Sequence, residues 1–250
     1  MYVSKKYKFV YFGPTKAASN TISYIIVNFF DAFGVKPSDM EQISGDDGWP
    51  PAAHHSAFLP EKYADYFTFT TVRNPYIREL SKYNFLVEQS QYQSVYKAIG
   101  QMSFENYMQW VCEEGPTGFW RHDMWKRTLK ELIFNQPVRK NCVPVRLDCF
   151  IKCENIIENF FNLPFVSPNK EILRILEGRI NFATEHNQKQ FPVEQSELCY
   201  NHFKEDFDMF NYKKEIPEYK PVESSYKMFK NEHGRTVTTN LFPKPKKFML

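Results

Sequence analysis

Short apolar runs bounded by turn formers alternate along this chain with longer stretches of helical periodicity. Phe9–Phe12 (FVYF) is an apolar and aromatic run closed by Gly13-Pro14, and it predicts a short buried strand. Residues 22–30 are apolar nearly all round, as in a helix packed against a sheet, and Ser19, Asn20 and Thr21 supply helix-start residues before them. Phe67, Phe69 and Thr71 then alternate with Thr68, Thr70 and Val72, which predicts a second strand. Arg73 stands at its end, Asn74-Pro75 turns the chain, and Pro75 suits the first position of a helix. Residues 86–124 read as helical segments separated by turns at Gly100 and Gly115-Pro116. Residues 121–134 read as a helix with Leu129, Leu132 and Ile133 on one side. Residues 143–151 predict a later strand, and 192–212 a long amphipathic helix. Residues 34–53 are polar and turn-rich, with Gly45-Asp46-Asp47-Gly48 and Pro50-Pro51, and read as a loop.

The chemistry concentrates at two of these junctions. Between the first strand and its helix lie Lys16, Ala17 and Ala18, with the hydroxyls of Ser19 and Thr21 just beyond. Small residues let a backbone come close to a ligand. The open N–H groups and dipole of a first helical turn attract anions, and Lys16 adds a mobile positive charge. The nucleotide-triphosphatase pattern G-x-x-x-x-G-K-[ST] is absent, because Lys16 follows Gly13 by only three positions and no second glycine precedes it. On this loop alone an ordinary βα turn with a surface lysine remains an equal reading. At the second junction, Arg73 at a strand end is followed by Arg78, Ser81 and Lys82 on the next helix, a second arrangement suited to a phosphate.

Taken together, the two junctions resemble the cofactor signatures of sulfotransferases that use 3′-phosphoadenosine 5′-phosphosulfate (PAPS). Lys16-Ala17-Ala18-Ser19-Asn20-Thr21-Ile22 is similar to the family's 5′-phosphosulfate loop, often K-T-A-S-T-S-F. Residues 73–81, RNPYIRELS, are similar to its 3′-phosphate motif R-D-P-x-x-R-L-x-S. Asn74 stands where the family usually has Asp, and Asn20 where it has Ser or Thr; both keep a short polar side chain. The resemblance is to carbohydrate sulfotransferases, including the heparan sulfate uronyl 2-O-sulfotransferase type. It implies an α/β fold: a P-loop-NTPase-like core whose central, mainly parallel sheet is flanked by helices. It also implies transfer of a sulfuryl group from PAPS to an acceptor hydroxyl, a sugar's in the resembling enzymes, with release of PAP and no metal. Lys16, Ala17, Ala18, Ser19, Asn20 and Thr21 would then hold the 5′-phosphosulfate, with Lys16 stabilising the bridging oxygen as it leaves. Arg73 and Ser81 would grip the 3′-phosphate. His55, in the context His-Ser-Ala-Phe-Leu, matches the family's catalytic base, with a structural or surface histidine as the alternative and His54 as its neighbour. Residues 152–156, KCENI, resemble a strand-end element of the family in which Glu154 has a structural role, and the segment ending FKEDFDMFNY resembles its late helix.

Composition narrows this only a little. The 250 residues suffice for one α/β domain over 1–250, with 213–250 read as a partly irregular tail or a cofactor flap through Lys227, Lys230, Gly234 and Arg235. A net charge of +3 gives no argument for nucleic acid, and an aromatic fraction of 17% mostly serves packing. Residues 120–123, WRHD, are a further candidate for a glycan cleft. The five cysteines form no disulfide framework or zinc pattern and are expected as reduced, mostly buried thiols. Neither a signal-peptide pattern nor a membrane-length apolar run is seen, so either a soluble intracellular enzyme or a form whose targeting lies outside this sequence is expected. Two other classes stay open. A nucleotide-dependent kinase would need a magnesium-binding carboxylate and a complete phosphate loop. A non-catalytic glycan- or nucleotide-binding module would not need Lys16, Arg73, Ser81 and His55 together.

Overall fold

The computed structural model describes residues 1–34, 59–91, 96–113, 125–134, 141–179, 190–218, 228–230 and 236–238. Its centre is a five-stranded sheet of β1 (Tyr2–Ser4), β2 (Phe9–Phe12), β3 (Phe33–Gly34), β5 (Phe67–Val72) and β7 (Cys149–Lys152), ordered β3-β1-β2-β5-β7. The neighbours β2, β5 and β7 run parallel, whereas β1 and β3 are antiparallel additions at one edge. A small antiparallel pair joins β4 (Leu59–Pro60) to β6 (Cys142–Val143), and another joins β8 (Met228–Lys230) to β9 (Thr236–Thr238). This is a mixed α/β structure with a mostly parallel central sheet flanked by helices.

Both faces of the sheet are covered, which explains why Phe9–Phe12 is apolar without alternation. Phe9, Tyr11, Phe69 and Ile151 face one core, with α1 (Ser19–Phe29), α6 (Ile156–Phe161) and α7 (Lys170–Arg179). Val3, Val10, Phe12 and Val72 face another, closed by Leu129 and Ile133 of α5 (Leu129–Phe134) and by Phe210. A third core lies among α2 (Pro75–Ser90), α3 (Lys97–Gly100), α4 (Phe104–Cys112), α8 (Ser196–His202) and α9 (Lys204–Met209).

Several sequence expectations need correction. Helix α1 is one-sided, burying Thr21, Ile22, Ile25 and Ile26, while Val27 is 43% exposed. The strand expected over 143–151 joins the main sheet only at Cys149, because Asp148 first turns its carboxylate back to accept the Thr68 N–H at 2.8 Å. Helix α5 starts at Leu129, set by a capping box: Thr128 accepts the Glu131 N–H at 3.0 Å and Glu131 accepts the Thr128 N–H at 2.8 Å. The long helix expected over 192–212 is a 3₁₀ turn, α8 and α9, broken at Phe203. The physical reason is Asp206, whose carboxylate turns inward to receive the Leu129 and Lys130 N–H groups at 2.7 and 2.8 Å. Gly100 does end α3, and a Cβ there would lie 2.0 Å from the Ser90 hydroxyl. All five cysteines are free thiols, but only Cys199 is fully buried and the other four are partly exposed. No helix among the described residues is long and apolar enough to cross a membrane.

Candidate active site

Register brings the two sequence junctions together. Phe12 pairs with Thr70 across the parallel β2–β5 contact, and the Thr70 hydroxyl donates to the Phe12 carbonyl at 2.7 Å. The chain leaving β2 therefore turns beside the end of β5, where Arg73 emerges. Ends of adjacent parallel strands are where α/β folds place their ligands.

The loop after β2 is tight. A Cβ on Gly13 would come within 3.1 Å of the Ser19 Cβ, so glycine allows the loop to fold back on the start of α1. Lys16 and Ala18 both take left-handed backbone, with φ of 62° and 58°, an uncommon state for residues with side chains. Ala18, rather than Ser19, is the residue that caps α1, and its methyl side chain makes no capping bond. The first-turn N–H groups are thus left uncapped by the cap residue, beside partly buried Ser19, exposed Asn20 and buried Thr21. Ala17 is buried. Thr15 is 3% exposed, yet its hydroxyl has no hydrogen-bond partner among the described residues.

Arg73 reaches this loop directly. Its Nη1 donates to the Lys16 carbonyl at 3.4 Å. Lys16 in turn rests its Nζ 4.3 Å from the ring centroid of Phe85 on α2. Burial, and secondarily the Arg73 charge, lower its pKa to about 8, against a smaller opposing pull from Glu88. Among the described residues, neither Lys16 nor Arg73 makes a salt bridge. Two adjacent cations with no salt-bridge partner among the described residues, next to a helix start whose cap residue offers no side-chain bond, suit an anionic ligand.

Arg78 and Lys82 have a different role from the phosphate-facing one suggested by their spacing. Both are fully buried. Arg78 donates Nε to the Thr15 carbonyl at 3.3 Å and both Nη groups to the Arg127 carbonyl, so it fastens the loop to the helical layer. Lys82 lies 2.6 Å from Glu79 and donates to the Trp125 carbonyl at 2.8 Å. The Tyr107 hydroxyl donates to Glu79 at 3.0 Å, and Arg78 also lies 3.9 Å from Asp206. Ser81, on the same helix, is partly buried and makes no side-chain bond to a described residue.

Glu154, the first residue after Cys153, accepts the Asn74 N–H at 2.8 Å and the Tyr212 hydroxyl at 3.0 Å. Asn74 itself caps α2 by accepting the Tyr76 N–H at 3.0 Å. The turn that carries Arg73 is therefore held from both sides. Cys153 lies close enough to Arg73 for that charge to oppose the burial that pushes its thiol up to about 12. His54, His55 and the stretch 120–123 lie outside the described residues, as do Lys227, Gly234 and Arg235 and the side chain of Lys230. Among the described residues no group of three or more metal-ligating side chains comes together. Sequence reasoning missed Thr15, Phe85 and the loop-holding role of Arg78; only Arg78 left a signal, as a member of the R-N-P-x-x-R spacing.

Comparison with known proteins adds one finding. The family model described as "Sulfotransferase family" matches residues 1–213. No curated protein and no solved structure matches the chain. The match spans both junctions, the strands that align them and the helices that close over them, and the chain belongs to the sulfotransferase family.

Proposed function

We propose that the protein transfers a sulfuryl group from PAPS to the hydroxyl of an acceptor, and that the acceptor is a carbohydrate. The observation that carries the donor assignment is the contact of Arg73 with the Lys16 loop, which joins two cations that form no salt bridge among the described residues to the start of α1 at one edge of the sheet. On this reading the core is P-loop-like and residues 1–250 form one sulfotransferase domain. The carbohydrate acceptor rests on the resemblance of the two motifs to carbohydrate sulfotransferases.

PAPS supplies, when bound, a sulfuryl group on a phosphate leaving group. The first-turn N–H groups over Ala17, Ala18, Ser19, Asn20 and Thr21, with the Ser19 and Thr21 hydroxyls, bind its 5′ end. Lys16 neutralises charge that develops on the bridging oxygen, an interaction strongest in the transition state. Arg73 and Ser81 bind the 3′-phosphate, the group that separates PAP from AMP. His55 accepts the acceptor's proton. Arg78 and Glu154 hold the loop and the Arg73 turn in register.

Calorimetry with PAP and AMP tests the donor. PAP is expected to bind at least tenfold more tightly, and equal binding of the two overturns the assignment. Turnover of PAPS with a panel of glycans tests the acceptor, and sulfation of non-carbohydrate hydroxyls alone would overturn that half. His55→Ala is expected to lower kcat by about 10²–10⁴-fold with PAP affinity unchanged, and His54→Ala by less.

A further inference from the structure

Lys16 is fixed at two points. Its carbonyl accepts Arg73 Nη1 at 3.4 Å, and its ammonium sits 4.3 Å from the centre of the Phe85 ring. Phe85 lies on α2, two turns past Arg78 and outside both cofactor motifs. Its own ring is held in place. It stacks on Trp125 with ring centroids 5.5 Å apart and planes 30° apart, and Trp125 is 3% exposed. The Trp125 carbonyl takes the Lys82 ammonium at 2.8 Å, and Tyr96 meets the Trp125 ring edge-on at 6.2 Å. The ring under Lys16 is thus one end of a packed aromatic stack that is anchored to the buried charges of α2.

A lysine with four rotatable bonds, next to an arginine of the same sign, has among the described charged groups only the weaker pull of Glu88 on α2 to set against that repulsion. Repulsion from Arg73 drives it outward. The negative face of an aromatic ring opposes that drive, and does so without a carboxylate that would compete with an anionic ligand. We infer that Phe85 is a positioning residue for Lys16: its ring face holds the ammonium charged and in place beside the loop until a sulfated nucleotide arrives. This rests on the proposed role of Lys16 in sulfuryl transfer, but the holding itself is a property of the ligand-free protein.

The charged groups facing Lys16 among the described residues are Arg73 from the end of β5 and Glu88 from α2. Burial and Arg73 favour the neutral amine, whereas Glu88 and the ring favour the ammonium. Removing the ring while keeping an apolar side chain therefore moves the lysine's titration further down.

The test uses the full chain with Phe85→Leu and Phe85→Tyr. Amine labelling by acetic anhydride across pH, read by mass spectrometry at Lys16 in the ligand-free protein, reports its titration directly. In the wild type the midpoint is expected near 8. In Phe85→Leu it moves to lower pH, and Phe85→Tyr, which keeps a ring face, restores it. With PAPS and acceptor, Phe85→Leu is expected to lower kcat by about 3- to 30-fold while PAP affinity stays within twofold, and Phe85→Tyr to recover most of the loss. If Phe85→Leu leaves the Lys16 midpoint unchanged, or if Phe85→Tyr is as impaired as Phe85→Leu, the ring is only packing and the inference fails. If the midpoint moves as expected but the wild type transfers no sulfuryl group, the positioning stands and the proposed reaction fails.

Discussion

Helix α2 begins between two groups of cations that behave in opposite ways. On one side, Arg78 and Lys82 are fully buried and face Glu79 and Asp206, so two positive charges meet two negative ones. On the other, Lys16 and Arg73 stand next to each other and make no salt bridge among the described residues. All but Lys16 come from one ten-residue stretch of sequence, and a reader of that stretch would give them one role. Compensation separates them. A balanced buried set holds the fold, because its charges are already answered. An unbalanced pair at the surface of a loop is completed by something that binds.

The comparison breaks most visibly at Asp206. Asp206→Ala leaves Arg78 and Lys82 in excess and exposes the start of α5, so denaturant unfolding is expected to show a loss of about 3–5 kcal/mol. Unchanged stability would mean that the set is not a structural unit. Arg73→Ala is the opposite experiment. Stability should stay within about 0.5 kcal/mol, since among the described residues Arg73 gives up only its long 3.4 Å hydrogen bond to the Lys16 carbonyl, while PAP binding weakens by about 1.5–3 kcal/mol. A large fall in stability would place Arg73 with the buried set. Lys16 sharpens the contrast through pH. Its folded pKa of about 8 lies below the usual lysine value, so the charged form is disfavoured by folding. Between pH 8 and the unfolded value, the unfolded chain binds more protons, and this residue's contribution to stability grows with rising pH. Activity runs the other way: kcat/KM is expected to fall as pH rises through about 8, because neutral Lys16 in the free protein cannot stabilise a leaving phosphate. Lys16→Ala should remove that limb and lower kcat more than it weakens PAP binding.

Local patterns made part of this legible in the sequence. A run as uniformly apolar as Phe9–Phe12 fits a strand whose sheet is covered on both faces, and Pro75 suits the first position of a helix. The convergence of Lys16 and Arg73 could be suspected from motif resemblance, but it is produced by the Phe12–Thr70 register, which no local pattern encodes. The left-handed backbone at Lys16 and Ala18 was invisible because neither residue is glycine. The sequence pattern of Arg78 and Lys82 suits a phosphate, because it carries no sign of buried partners such as Asp206, which lies more than a hundred residues away in sequence. Helix continuity over 192–212 was misread for the same reason: the periodicity is intact, and the break at Phe203 serves a contact with α5.

The bond between Tyr212 and Glu154 matters for anyone who redesigns the chain's end. Glu154 also holds the Asn74 N–H, so a side chain just beyond α9 is two hydrogen bonds from the turn that presents Arg73. Tyr76, in the first turn of α2, donates to the Lys214 carbonyl at 2.7 Å and extends the same tie. A stop codon, protease site or fusion joint inserted between α9 and residue 214 would be felt at the turn that carries Arg73, even where the helices themselves still fold. The last turn of α9 is therefore a poor attachment point for a reporter or an affinity handle.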